Sequence, residues 1–95
     1  MIIQKHFKMI LTQFITDNNL TFEVGRRNAD ATIVCGYGLY LGKDLEEIKE
    51  EVKNAVPSID GEVEEEIDFV FPYAKRNNYG VWWEKESNRN QYKNA

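Results

Sequence analysis

The sequence predicts an α+β fold in one small domain. Two segments repeat apolar residues at steps of three and four, and between them two short β-rich runs flank the turn-forming stretch "GRRNAD". Ile3, Phe7, Ile10, Leu11, Phe14 and Ile15 fall on one stripe, which predicts an N-terminal helix over about residues 3–17, stopped by Asp17, Asn18 and Asn19. Leu20, Phe22 and Val24 then alternate with polar residues, and a second run extends from Ala31 to Cys35. Together they predict an antiparallel β-hairpin packed on the first helix. After "GYGLYLG", Asp44 is placed to N-cap a second, acidic helix in which Leu45, Ile48, Val52 and Val56 keep helical spacing until Pro57. The helices are expected to cover one face of a small antiparallel sheet.

The next segment supports two conformations. Val63, Ile67, Val70 and Ala74 keep a helical period, with Glu62, Glu64, Glu65 and Glu66 at one end and Lys75 and Arg76 at the other, as the helix dipole favours. Against a helix, Pro72 removes a hydrogen bond and clashes with the preceding turn at about 3 kcal/mol, and Ile67, Phe69 and Phe71 alternate as in a strand. The helix is preferred, kinked or restarted at Pro72 and ended by Asn77, Asn78 and Gly80. An aromatic segment with Trp82 and Trp83 follows, and if it is extended the two rings point in opposite directions. Residues 1–86 thus form the predicted globular domain, and residues 87–95 a polar tail expected to fray.

A chain of 95 residues has room for one core and no second module. Its 42% hydrophobic and 29% charged residues suit a folded domain rather than a disordered one. The single Cys35 makes no internal disulfide, polar residues interrupt the N-terminal apolar run, and no stretch reaches the roughly 18–20 apolar residues of a membrane span. These features predict a cytoplasmic protein with no membrane association.

No motif carries a recognisable chemistry. "GYGLYLG" places Gly36, Gly38 and Gly42 where a phosphate loop would lie, but the spacing is not the dinucleotide fingerprint, and Asp44, Glu46 and Glu47 would repel phosphate from the helix that follows. Cys35 and His6 are the only residues of their kinds, and Cys35 lies in an apolar run where a thiol behaves as a small hydrophobe. The expectation is therefore a protein without catalytic residues, cofactor or metal.

Charge is the most informative feature. Residues 44–68 hold eleven of the sixteen acidic residues against only Lys49 and Lys53, a block of −9 in a chain of −4. Such a block opposes folding by self-repulsion, and rows of carboxylates on rigid helices imitate a phosphate ladder. Glu46, Glu47, Glu50, Glu51, Glu62, Glu65 and Glu66 are thus the predicted contacts to a protein partner with a basic surface, with Trp82 or Trp83 as an anchor. A homodimer is compatible with the same chain. The alternative is a single-stranded nucleic-acid binder using Lys75, Arg76, Tyr79, Trp83 and Arg89. The neighbouring acidic block disfavours it, because it would repel phosphate over the Debye length of about 8 Å.

In size, acidity, single-domain build and lack of catalytic motifs, the chain resembles the small acidic proteins that phages and mobile elements encode against host defence, such as anti-CRISPR and anti-restriction proteins. The resemblance implies a stoichiometric inhibitor that binds a nucleic-acid-handling host protein as a nucleic-acid mimic. Their folds are diverse, so it transfers no individual residue.

Overall fold

The computed structural model of the protein describes the backbone of residues 2–95 and the side chains of residues 10–95. Six helices and no strand occur among the described residues: α1 (Ile2–Asp17), α2 (Arg27–Tyr40), α3 (Leu45–Ala55), α4 (Gly61–Arg76), α5 (Tyr79–Trp82) and α6 (Glu86–Arg89). The fold is all-α, and the predicted α+β class with its β-hairpin is overturned.

α1 forms as its stripe requires, burying Leu11, Phe14 and Ile15. Ile3, His6 and Phe7 lie outside the described side chains. The helix ends in paired backbone bonds, Leu20 N–H to the Ile15 carbonyl and Asn19 N–H to that of Thr16, both 3.1 Å, with Asn19 in the left-handed region at φ 56°.

The first half of the expected hairpin is a loop. Leu20 and Phe22 are buried while Val24 stands 82% exposed. Phe22 has φ 59° and Gly25 φ 91°, values incompatible with an extended strand. The buried carboxylate of Asp30 holds the loop down by accepting the Phe22 N–H at 3.0 Å.

The second half is helix α2. Ala31, Val34, Cys35 and Gly38 recur at the i, i+3, i+4, i+7 spacing of a buried helical face. The β-branched run Thr32, Ile33, Val34 and two glycines lower helix propensity locally, and tertiary packing overrides them. Gly36 and Gly38 are packing positions rather than turn residues. A Cβ on Gly38 would lie 2.6 Å from Ile48 Cδ1, and one on Gly36 would lie 3.0 Å from Trp83 Nε1. Their absent side chains let α3 and the Trp83 indole approach the α2 backbone. Gly42, at φ 81°, is the glycine that turns the chain, with Lys43 N–H bonded to the Gly38 carbonyl at 2.9 Å.

α3 begins as expected, in a reciprocal capping box: Asp44 accepts the Glu47 N–H and Glu47 accepts the Asp44 N–H, each at 2.9 Å. α4 starts at Asp60, which accepts the N–H groups of Glu62 and Val63 at 3.1 and 3.3 Å. It continues through Pro72 to Arg76, which settles the segment as helix and excludes the strand. Pro72 is exposed, so the carbonyl it leaves unpaired, that of Asp68, lies on the solvent side of the helix.

α2 lies against α4 and α5 and also contacts α1 and α3. Phe14 and Tyr37 stack at 4.1 Å between ring centres, and the Trp83 indole closes on both. Beyond Ser87, where the sequence predicts a fraying tail, the chain forms α6 and returns to α1. Tyr92 packs 4.8 Å from Trp83, and Asn18 bonds Lys93 through both its side-chain atoms, at 2.8 and 2.9 Å.

Candidate interaction surface

The acidic block divides between groups already engaged within the chain and groups that face solvent. Glu51 is an inward-facing residue, 5% exposed, paired with Lys43 at 3.4 Å and accepting the Thr12 hydroxyl. Predicted as a partner contact, Glu51 is thus placed inside the fold, away from the exposed acidic groups. Glu62 binds Arg27 at 2.8 Å, and Glu66 accepts from Asn28 at 2.7 Å, so both tie α4 to the N-terminal turn of α2.

Glu46, Glu47, Glu50 and Glu64 line one shallow groove of about 470 Å³ between α3 and α4, together with Lys49 and Lys53. Lys49 crosses the two helices, 3.0 Å from Asp68 and 3.4 Å from Glu46. The hydrogen bond to Asp68, aided by the charge of Asp68 and by Glu46, outweighs the opposing desolvation and raises its pKa. The groove therefore carries a modest negative excess on a cross-tied scaffold. Glu64 was visible in the sequence only as part of the acidic run. It joins Glu46, Glu47 and Glu50 because α3 and α4 lie side by side.

The tryptophan pair lies at the C-terminal end of α5 rather than on a strand, its rings meeting edge to face at 4.9 Å. Trp83 is buried, 4% exposed, and is not available as an anchor, whereas Trp82 is 42% exposed. Trp82 lines a different groove, with Thr32, Ile33 and Tyr79, and shares none of the acidic groove's residues. The chain thus has an acidic face on α3 and α4 and a separate aromatic face. Phe69, at 75% exposure, and Tyr73, at 50%, belong to the latter; the wheel of α4 turns Phe69 away from Val63, Ile67 and Ala74 and sets Tyr73 at the edge of the exposed face.

The residues of the nucleic-acid alternative do not assemble into a platform. Trp83 is core, and Arg89 is committed to the carbonyls of Trp83 and Glu84, both at 2.9 Å. Lys75, Arg76 and Tyr79 remain at the surface, with the Arg76 guanidinium 5.7 Å over the Tyr73 ring.

Cys35 is fully buried on α2, and burial pushes its thiol from 9.0 up to about 12. Native Cys35 is expected to resist thiol reagents at about pH 8 and to react completely in denaturant. The sign of the pH effect follows from the same shift. The unfolded thiol ionises near 9.0 and the folded one near 12, so this stabilisation is intact below about 9 and is lost as pH rises toward 12. An alkaline unfolding titration of the wild type and Cys35→Ala checks this: the variant lacks the part due to the thiol, while Tyr37, also raised by burial to about 12, retains its own.

No family model, curated protein or solved structure matches this chain. Among the described residues, no group of three or more metal-binding side chains gathers, and no helix is long and apolar enough to cross a membrane.

Proposed function

We propose that this chain is a non-enzymatic interaction protein whose α3–α4 face binds a positively charged surface of a protein partner. The observation that supports this best is the convergence of Glu46, Glu47, Glu50 and Glu64 on one groove between adjacent helices. Rigid helical positions hold the carboxylates at fixed spacings, and complementary charge steers encounter and fixes register more than it adds affinity. Following the resemblance to phage and mobile-element proteins directed against host defence, the partner is proposed to be a host protein that handles nucleic acid. Its basic groove would be occupied by this acidic face.

The test compares affinity capture from host lysate by the wild type and by an E46K/E47K/E50K variant, at stepped salt. The expected result is a nucleic-acid-handling protein that is retained by the wild type, released by salt, and lost from the variant. Equal capture by both proteins would overturn the acidic-contact mechanism. In a parallel gel shift at low salt, the chain is expected to leave single-stranded DNA and RNA unshifted; a shift that weakens with salt would instead support the nucleic-acid reading.

A further inference from the structure

We propose that the outward stripe of α4 is the seam of a homodimer in which two copies pack this helix antiparallel. This surface is distinct from the acidic groove and goes beyond the partner-binding reading. At 3.6 residues per turn, Glu65, Phe69, Pro72, Tyr73 and Arg76 share one face of α4, opposite its buried face. Phe69 is 75% exposed in the middle of a regular helix, an unusual position for a large ring with nothing covering it.

The order of charges along the stripe selects the occupant. A carboxylate, Glu65, stands on the N-terminal side of the aromatic pair and a guanidinium, Arg76, on the C-terminal side. They are eleven residues apart, or about 16 Å along the helix. Among the described residues, neither Glu65 nor Arg76 has an ion-pair partner within 4 Å. A second copy running parallel would set Glu65 against Glu65 and Arg76 against Arg76. Turned antiparallel about a two-fold axis between Val70 and Phe71, it sets each Glu65 opposite the second copy's Arg76. The same register places Phe69 opposite the second copy's Pro72 and Tyr73. A stripe with opposite charges at its ends and rings at its centre is self-complementary, as an isologous interface requires.

The surface beside the stripe has a matching hollow. Thr32 of α2 with Phe69, Pro72, Tyr73 and Tyr79 lines a groove of about 370 Å³ adjoining the proposed axis. The two-fold places the second copy's Phe69 at this groove, and the reciprocal contact buries the other Phe69. Arg76, resting over Tyr73, stands at the rim where the incoming Glu65 arrives.

Sedimentation equilibrium from about 1 μM to about 1 mM tests the seam. The wild-type mass is expected to rise toward twice the chain's 11.1 kDa, and Phe69→Glu to hold it at the monomer value. Glu65→Arg alone and Arg76→Glu alone are each expected to weaken dimerisation about tenfold, while the double exchange restores it to within about threefold of wild type. All three positions are at the surface, and circular dichroism verifies that each variant folds. If Phe69→Glu fails that control, the charge exchange decides by itself. A wild type that stays monomeric throughout overturns the proposal, as does a dimer that keeps its affinity in these variants or is not restored by the double exchange. A monomeric wild type whose capture of a lysate protein requires Phe69 would assign the stripe to a different partner.

Discussion

Trp83→Ala is expected to lower the unfolding free energy by about 3–5 kcal/mol, a large share of the roughly 5–15 kcal/mol available to a domain of this kind. At roughly 4–8 °C per kcal/mol for a chain of this size, the melting temperature should fall by about 12 °C or more. The indole meets Phe14 at 5.6 Å, Tyr37 at 5.0 Å and Tyr92 at 4.8 Å between ring centres, so one side chain joins α1, α2 and the C-terminal segment. Its Nε1 edge also fills the space that Gly36 leaves open. Glycine has no side chain with which to relax into the vacated volume, so the cavity persists and the cost is near the top of the range for aromatic truncation. Trp82→Ala, at a position 42% exposed, is expected to cost about 1 kcal/mol or less. Thermal and urea unfolding followed by circular dichroism measure both. Equal losses for the two variants would contradict the division of the pair into a core residue and a surface residue.

That division was only partly legible in the sequence. Adjacent tryptophans were expected to diverge along an extended segment, whereas at the end of α5 their rings meet edge to face, 4.9 Å between centres, one buried and one exposed. Which of them is buried depends on the approach of α5 to Gly36, a contact between residues distant in sequence. The outcome for α2 has a similar cause. Ala31, Val34, Cys35 and Gly38 already carried the helical repeat, but Thr32, Ile33 and Val34 supplied a competing β signal, and two glycines resembled a loop. The repeat prevails because α2 is packed on several sides, where burial outweighs propensity. Elements with one exposed face were easier to read: α3 announced itself through Asp44, Glu47 and the Ile48, Val52 stripe, and its capping box is present as the spacing required.

The candidate surface was legible to the same extent. Glu46, Glu47 and Glu50 stand on the outer face of α3 as its wheel requires, and the sequence could not show that Glu64 would join them. Glu51 lies three residues beyond Ile48, at the edge of the apolar stripe. The helix wheel hints at burial there, but the groups that satisfy the carboxylate, Lys43 and Thr12, come from a loop and another helix. The charge count of the segment therefore overstates the charge on its surface.

Lys43→Met is expected to destabilise the fold by about 3–5 kcal/mol, because it leaves the enclosed Glu51 carboxylate without its counter-charge. The side chains are only 6% and 7% exposed, at Lys43 and Glu51 respectively, so water cannot replace the lost partner. Removing the carboxylate as well should recover most of the loss. Lys43→Met combined with Glu51→Leu substitutes an apolar contact for the pair, and such exchanges are often neutral or stabilising. Glu51→Gln is expected to cost less than Lys43→Met, since it still accepts from Thr12 and the lysine stem can carry its ammonium toward water. Urea unfolding of the three variants gives the ordering, and a double variant no more stable than Lys43→Met would refute the ion-pair account. The double variant also bears on the acidic face. It removes one acidic residue of the −9 block while leaving Glu46, Glu47 and Glu50 in place. If the groove rather than the total charge of the segment recognises the partner, its capture should match the wild type, whereas E46K/E47K/E50K should lose it.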